Sequence, residues 1–193
     1  MGAPEALSRA CPAVLAGLAL GVAAVDAAER PYAVTGGCRD GVPNGAYELR
    51  GDDGRLRVAG AYARGRRTGT FVFWSASGDR VAVIPYDDDA KTGTVALWYG
   101  PVAPGGAPRR RLESAYAGGA LHGVTRSWYA DGRPRAEYLY ERGVLAEASA
   151  WSEAGAALGA DDARRGAARD RAAEAAEYAA LERLVAEHAP RCD

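Results

Sequence analysis

Between residues 45 and 155 the apolar and aromatic positions fall in short runs, each closed by a glycine-centred turn. The runs TFVFW at 70–74 and VAVIPY at 81–86 are too short for helices of a globular domain. Asp53-Gly54, Ser77-Gly78 and Asp131-Gly132 separate such runs. Asp-Gly supplies the positive φ angles of tight hairpin turns, so the pattern predicts antiparallel strands joined by turns. From 161 to 189 the period changes. Ala168, Ala172, Ala175, Tyr178, Leu181 and Val185 recur at helical spacing among strong helix formers. Asp161 or Asp162 is available as the N-cap and Pro190 as the stop.

The strand region repeats. Gly45, Gly69, Gly93 and Gly123 each open a unit, at a spacing of 24 residues except for a gap of 30 before the last. The extra six residues fall in the Gly- and Pro-rich stretch around 101–108. An aromatic follows five residues after the glycine in three units, as Trp74, Trp98 and Trp128, and repeat one has Arg50 there. Tyr62, Tyr86, Tyr116 and Tyr140 recur later in each unit, and a partial fifth unit holds Trp151 and Gly155. A fixed period in this range marks a repeat architecture, in which units bury apolar surface against their neighbours. The predicted product is a single-layer β-hairpin meander of about nine strands, an all-β repeat with a C-terminal helix packed on it. A single sheet needs a second layer to bury an apolar face.

Tyr62-x-x-Gly65-x-x-x-Gly69 and Tyr116-x-x-Gly119-x-x-x-Gly123, with the Trp/Tyr and Asp-Gly pairs of each unit, resemble MORN repeats. The similarity is to the bacterial variant labelled YwqK-type antitoxin, and it spans roughly residues 43–155. Asp89 replaces the second glycine in repeat two, and Pro108 stands at the turn glycine of repeat three. The resemblance implies an interaction scaffold or a membrane-associated module, not a catalytic centre.

The ends of the chain divide it further. Residues 1–27 read as a secretory signal peptide. Arg9 precedes an uncharged run over 10–25, and Val25-Asp26-Ala27 offers a cleavage site. The apolar run is shorter than the roughly 20 residues of a spanning helix. Residues 28–44 are a lead-in, 45–159 the repeats, and 160–193 the helix and tail. Cleavage leaves Cys38 and Cys192, an even number in an exported chain, which predicts a disulfide. A helix over 162–187 is about 39 Å long, and nine strands span about 38 Å. The helix can therefore run back across the sheet and bring Cys192 to Cys38. The location that follows is periplasmic or secreted.

Candidate chemistry is sparse. The net charge of -1 gives no global case for nucleic acid. His122 and His188 have no Cys or carboxylate at metal-ligand spacing, and nothing calls for a cofactor. Asp87-Asp88-Asp89 lacks the spacing of a calcium loop; Arg64, Arg66 and Arg67 of the preceding turn are its expected partners. One pattern stands out. The second strands open with Arg55 and Arg57 in repeat one, Arg109 and Arg111 in repeat three, and Arg133 and Arg135 in repeat four. Repeat two has Asp79 and Val81. Residues two apart on a strand share a face, so these arginines are expected to form a column on the face away from the tyrosines. Glu113 and Glu137 are their candidate partners. The function this supports is an exported, non-enzymatic scaffold that binds an acidic protein or another anionic surface through that column. The alternatives are an antitoxin-like or immunity protein that neutralises a toxic partner, and a peripheral membrane module that meets anionic lipid.

Overall fold

The computed structural model describes residues 32–100, 106 and 108–193. The segment read as a signal peptide and most of the 101–108 insertion lie outside the described residues. The remainder is one open antiparallel sheet with a single helix on it. The strands are β1 (Ala33–Arg39), β2 (Val42–Arg50), β3 (Leu56–Ala63), β4 (Arg66–Trp74), β5 (Arg80–Asp87), β6 (Ala90–Lys91), β7 (Gly93–Trp98), β8 (Arg110–Ala117), β9 (Ala120–Trp128), β10 (Pro134–Glu141) and β11 (Val144–Ala150). The helix is α1 (Ala160–Glu187). Ten strands follow one another in sequence order across the sheet, and the short β6 pairs only with β5. The count exceeds nine chiefly because the lead-in is not a linker: residues 33–39 pair with β2 along their length.

The two ends of the sheet turn differently. At one end the strands join through two-residue turns with both φ angles positive, as at Arg64-Gly65 and Arg142-Gly143. This is the twist-matched turn of a hairpin. At the other end Asp53-Gly54 and Asp131-Gly132 sit in wider loops, where the backbone N–H of the residue after the run bonds across the loop, as Gly51 does to the Arg55 carbonyl at 3.0 Å. The Asp-Gly pairs therefore mark the looser turns, not the tight ones.

Those wider loops end in a bulge. Arg50 pairs with Leu56 although Leu49 pairs with Val58, which leaves Arg57 as the extra residue. The same shift leaves Val81 extra in the next hairpin, then Arg111, then Arg135. A bulge puts two residues opposite one and resets which face the next side chain takes. It recurs at one phase of the repeat and decides the fate of the arginine column.

One face of the sheet is the core. Tyr47, Leu49, Val58, Tyr62, Phe71, Phe73, Ile84, Tyr86, Val95, Leu97 and Leu112 form its main cluster with Tyr178 and Val185 of α1. A smaller cluster at the β11 end, Leu121, Ala136, Tyr138, Tyr140 and Ala150, receives Ala163 and Ala167. The helix starts over that cluster and runs back across the sheet. Asp170 meets β10 through Arg135 and Tyr138, with Oδ2 at 2.8 Å from both. The Tyr178 ring packs edge-on against Tyr116 of β8, with centroids 6.3 Å apart. Glu182 meets Tyr86 of β5 at 2.9 Å and Lys91 of β6 at 2.7 Å. The Tyr47 hydroxyl of β2 donates to the His188 carbonyl at 3.2 Å. Cys192 then reaches Cys38 on β1 in a disulfide with Cα atoms 5.7 Å apart. The pairing expected from helix and sheet lengths is present.

The helix differs from its expected form in two ways. Gly159 is its N-cap, without a side-chain cap bond; Asp161 and Asp162 lie in the first turn, where acidic groups favour the dipole. Its sheet-facing stripe is not the alanine series 168, 172, 175. Those three are exposed, and Ala163, Ala167, Glu174, Tyr178 and Val185 are buried. The acidic side chains Asp170, Glu177 and Glu182 accompany them, because the sheet presents guanidinium, ammonium and phenol groups there.

Candidate functional site

The six arginines of the column separate. Arg111 forms an ion pair with Glu177 of α1, and Arg135 forks onto both Asp170 oxygens at 2.8 and 3.2 Å. Both therefore lie on the tyrosine face, under the helix, and not on the face away from it. The bulge is the reason: as the extra residue of its hairpin, each is turned to the core side. Arg57 is the bulge residue of the first hairpin. Its side chain is 11 % exposed and held 2.9 Å from Asp53. Val81 takes the same position in the second hairpin and packs on the core. Arg55, Arg109 and Arg133 sit at the wide turns instead. Arg55 reaches the Ala76 carbonyl of the next turn at 3.4 Å, Arg109 reaches the Ala130 carbonyl at 3.0 Å, and Arg133 holds Asp131 at 2.6 Å. Glu113 and Glu137 serve other arginines, Arg110 and Arg126. The column is thus no single surface. Arg111 and Arg135 fasten the helix, Arg57 and Arg133 hold an aspartate of their own turn, and Arg55 and Arg109 reach the neighbouring turn.

The remaining candidates have structural partners. Asp88 pairs with Arg66, and Asp89 with Arg67 at 2.8 Å, so two of the three aspartates meet arginines of the preceding turn across adjacent hairpins. His188 Nδ1 lies 2.9 Å from the Leu184 carbonyl. Among the described residues no cluster of three or more His, Cys, Asp or Glu could hold a metal ion.

Electrostatics on the covered face are uneven. Glu182 is desolvated, which raises its pKa, but Lys91, Tyr86 and Arg67 outweigh that and hold it below the ordinary value. Glu174 has no such partner. Burial first, and the neighbouring Asp170 second, push it up to about 7, against the pull of Arg111 and Arg135. On the same face Ser114, Thr125 and Ser127 are buried hydroxyls; Thr125 and Ser127 stand two and four residues after a repeat glycine, where the earlier repeats have Tyr47 and Leu49, Phe71 and Phe73, and Val95 and Leu97. A cavity of about 70 Å³ lies among Arg111, Ser127, Arg135, Asp170 and Glu174.

The open face carries the feature that reasoning from sequence left unassigned. Trp74, Trp98 and Trp128 end their strands one residue after a buried neighbour, Phe73, Leu97 and Ser127. They therefore point away from the helix. Across each bulge they pair with Arg80, Arg110 and Pro134. The result is a row that crosses the sheet, tryptophan and partner in turn, to Trp151 at the far end. Trp98 is clamped on both sides. Arg80 lies 4.3 Å from its ring centroid and Arg110 4.7 Å, within the range of a cation–π contact. Between Trp128 and Trp151 there is no such filling among the described residues. A groove of about 600 Å³ opens there, over Pro134, with Arg126, Glu137 and Gly155 among its walls. The readable signal was the position five residues after each repeat glycine, combined with the residue that replaces arginine across from it.

No family model, curated protein or solved structure matches the chain. The geometry itself defines the class: a hairpin-repeat meander, covered on one face by a helix and open on the other. Among the described residues no helix is long and apolar enough to cross a membrane.

Proposed function

We propose that the chain is an exported, non-enzymatic, MORN-like binding module that engages a partner through the open face of its sheet. The observation that carries this is the division of labour between the faces. The covered face is filled by a helix locked at its far end by the Cys38–Cys192 disulfide. The open face holds a row of partly buried tryptophans and a groove of about 600 Å³ at its β11 end. Tryptophan and arginine are the side chains that most often dominate binding energy at interfaces. The disulfide favours an oxidising compartment, in keeping with a cleaved export signal over residues 1–27. The arginine column does not serve this role, because Arg57, Arg111 and Arg135 are already engaged.

The test is capture from an envelope extract of the native host, with wild-type chain and with Trp128→Ala/Trp151→Ala on the same support. Recovery of a specific partner should fall at least tenfold in the double variant, with an unchanged far-ultraviolet spectrum. Equal recovery by both, or loss only when helix residues such as Arg183 are changed, overturns the reading.

A further inference from the structure

We infer that the groove between Trp128 and Trp151 is a recognition site for a guanidinium side chain, presented by an arginine on an extended segment of the partner protein. The inference rests on the open-face reading above and deepens it. The protein's own repeats are the template. In the middle of the row a tryptophan ring is held between two guanidiniums, those of Arg80 and Arg110. Each occupies the first position of its strand, opposite the tryptophan that ends the strand before it. Pro134 takes that position in β10, opposite Trp128. Proline brings no cation to a ring face. The Trp151 backbone N–H bonds to the Arg135 carbonyl at 2.9 Å, which puts Trp151 in register beside Pro134. Two strand spacings, about 10 Å, then separate Trp128 from Trp151, the same interval that separates Trp74 from Trp98 with Arg80 on the strand between them. The break in the pattern coincides with the groove.

Charge agrees with a cationic occupant. Glu137 lines the groove, and strand pairing through Leu139 puts Glu147 on the same face. Glu153 and Asp131 both act on Arg133 at its mouth. The wall itself carries Arg126, Arg133 and Glu137; Arg126 is paired with Glu137 and Arg133 with Asp131, which leaves Glu147 and Glu153 to offset an added cation. An incoming guanidinium lies beside Trp128 and Trp151 as Arg80 and Arg110 lie on Trp98.

The four tryptophan indole N–H signals of the full mature chain, assigned with single Trp→Phe variants, provide the readout. The probe is an acetylated, amidated glycine peptide with one central arginine, compared with its citrulline counterpart. The arginine peptide should shift the indoles of Trp128 and Trp151 and leave Trp74 in place. Citrulline, which keeps the shape and loses the charge, should bind at least tenfold more weakly. Pro134→Arg supplies the missing cation from within and should abolish the response while the Trp74 signal and the spectrum stay native. The inference is overturned if neither indole moves, if citrulline binds as well as arginine, or if cellobiose shifts the same two indoles at lower concentration. If any of these occurs while Trp128→Ala/Trp151→Ala still loses the captured partner, the ligand class is wrong and the open-face reading survives.

Discussion

The two faces of the sheet use the same repeat to opposite ends. On the covered face the repeated tyrosines and the bulge residues Arg111 and Arg135 converge on one helix, through Tyr138 and Arg135 to Asp170, Arg111 to Glu177 and Tyr86 to Glu182. Every turn of the repeat adds a fastening. On the open face Arg80 and Arg110 stack on Trp98 in the middle of the tryptophan row, and among the described residues no second layer covers it. There the informative position is the one that departs from the repeat, Pro134. Regularity builds the scaffold, and an irregularity makes the site.

Breaking the covered face at its lock should have the largest effect. Cys38→Ser/Cys192→Ser opens a loop of 154 residues in sequence separation. On the chain-entropy account that costs about 5 kcal/mol as an upper guide. Urea unfolding should show the loss, while the Trp98 surroundings on the open face keep their native fluorescence until the common transition. A change under 1 kcal/mol would mean that the helix is held by its ion pairs alone.

Glu174 supplies the next effect, and its sign distinguishes it from an ordinary ion-paired carboxylate. Its folded pKa is raised from 4.5 to about 7. The folded state therefore binds more protons than the unfolded state between those values. Its contribution is intact at pH 4.5 and falls as pH rises to about 7, by roughly 3 kcal/mol for a shift of this size. Glu182, with a depressed pKa, works in the reverse sense and loses its contribution as the medium becomes acid. Glu174→Gln should thus raise the unfolding midpoint at pH 8 and leave it nearly unchanged at pH 4.5. A midpoint at pH 8 that falls would show that the carboxylate is stabilising.

Arg135→Ser tests where the arginine column lies. An arginine on an open surface would change stability by a few tenths of a kcal/mol. One forked onto the largely buried Asp170 should cost about 2 kcal/mol, between the values for exposed and buried pairs. Arg133→Ser, two residues away but at an exposed turn, should be close to neutral. Similar losses from both would return the column to one surface.

The sheet was legible because its signals are local. The run lengths and the 24-residue period are matters of spacing, and they gave the meander of about nine strands and the C-terminal helix; β1 in the lead-in and the short β6 bring the count to eleven, and the Cys38–Cys192 bridge followed from cysteine number and element lengths. The tyrosine face was legible as the core, but the side taken by the bulge arginines was not, because one uncounted residue per hairpin reverses it. Arg111 and Arg135 keep the spacing of an exposed column, but as bulge residues they turn to the core side. The helix was legible, with Tyr178, Leu181 and Val185 on the core as expected, but the alanine half of its stripe was misread for a related reason. Alanine offers no contrast between faces, and the true contact stripe contains Glu174 and Asp170, whose burial depends on sheet partners far away in sequence. The groove escaped notice because it is defined by an arginine that Pro134 replaces.

Pro134→Arg should give the smallest stability change, a gain of about 0.5–1 kcal/mol if the new guanidinium meets Trp128 and Trp151 as Arg80 and Arg110 meet Trp98. A loss would indicate that the β10 start depends on proline more than on the stack.

The most direct measurement of the account is a perturbation map. The isotope-labelled mature chain is titrated with the partner recovered from envelope extract, and backbone and indole shifts are placed on the two faces. The account predicts that the changes centre on Trp128, Glu137 and Trp151 and fade toward Trp74, while Asp170, Glu177 and Glu182 on the helix stay still. Changes centred on those helix residues, with the tryptophan row unmoved, would contradict it.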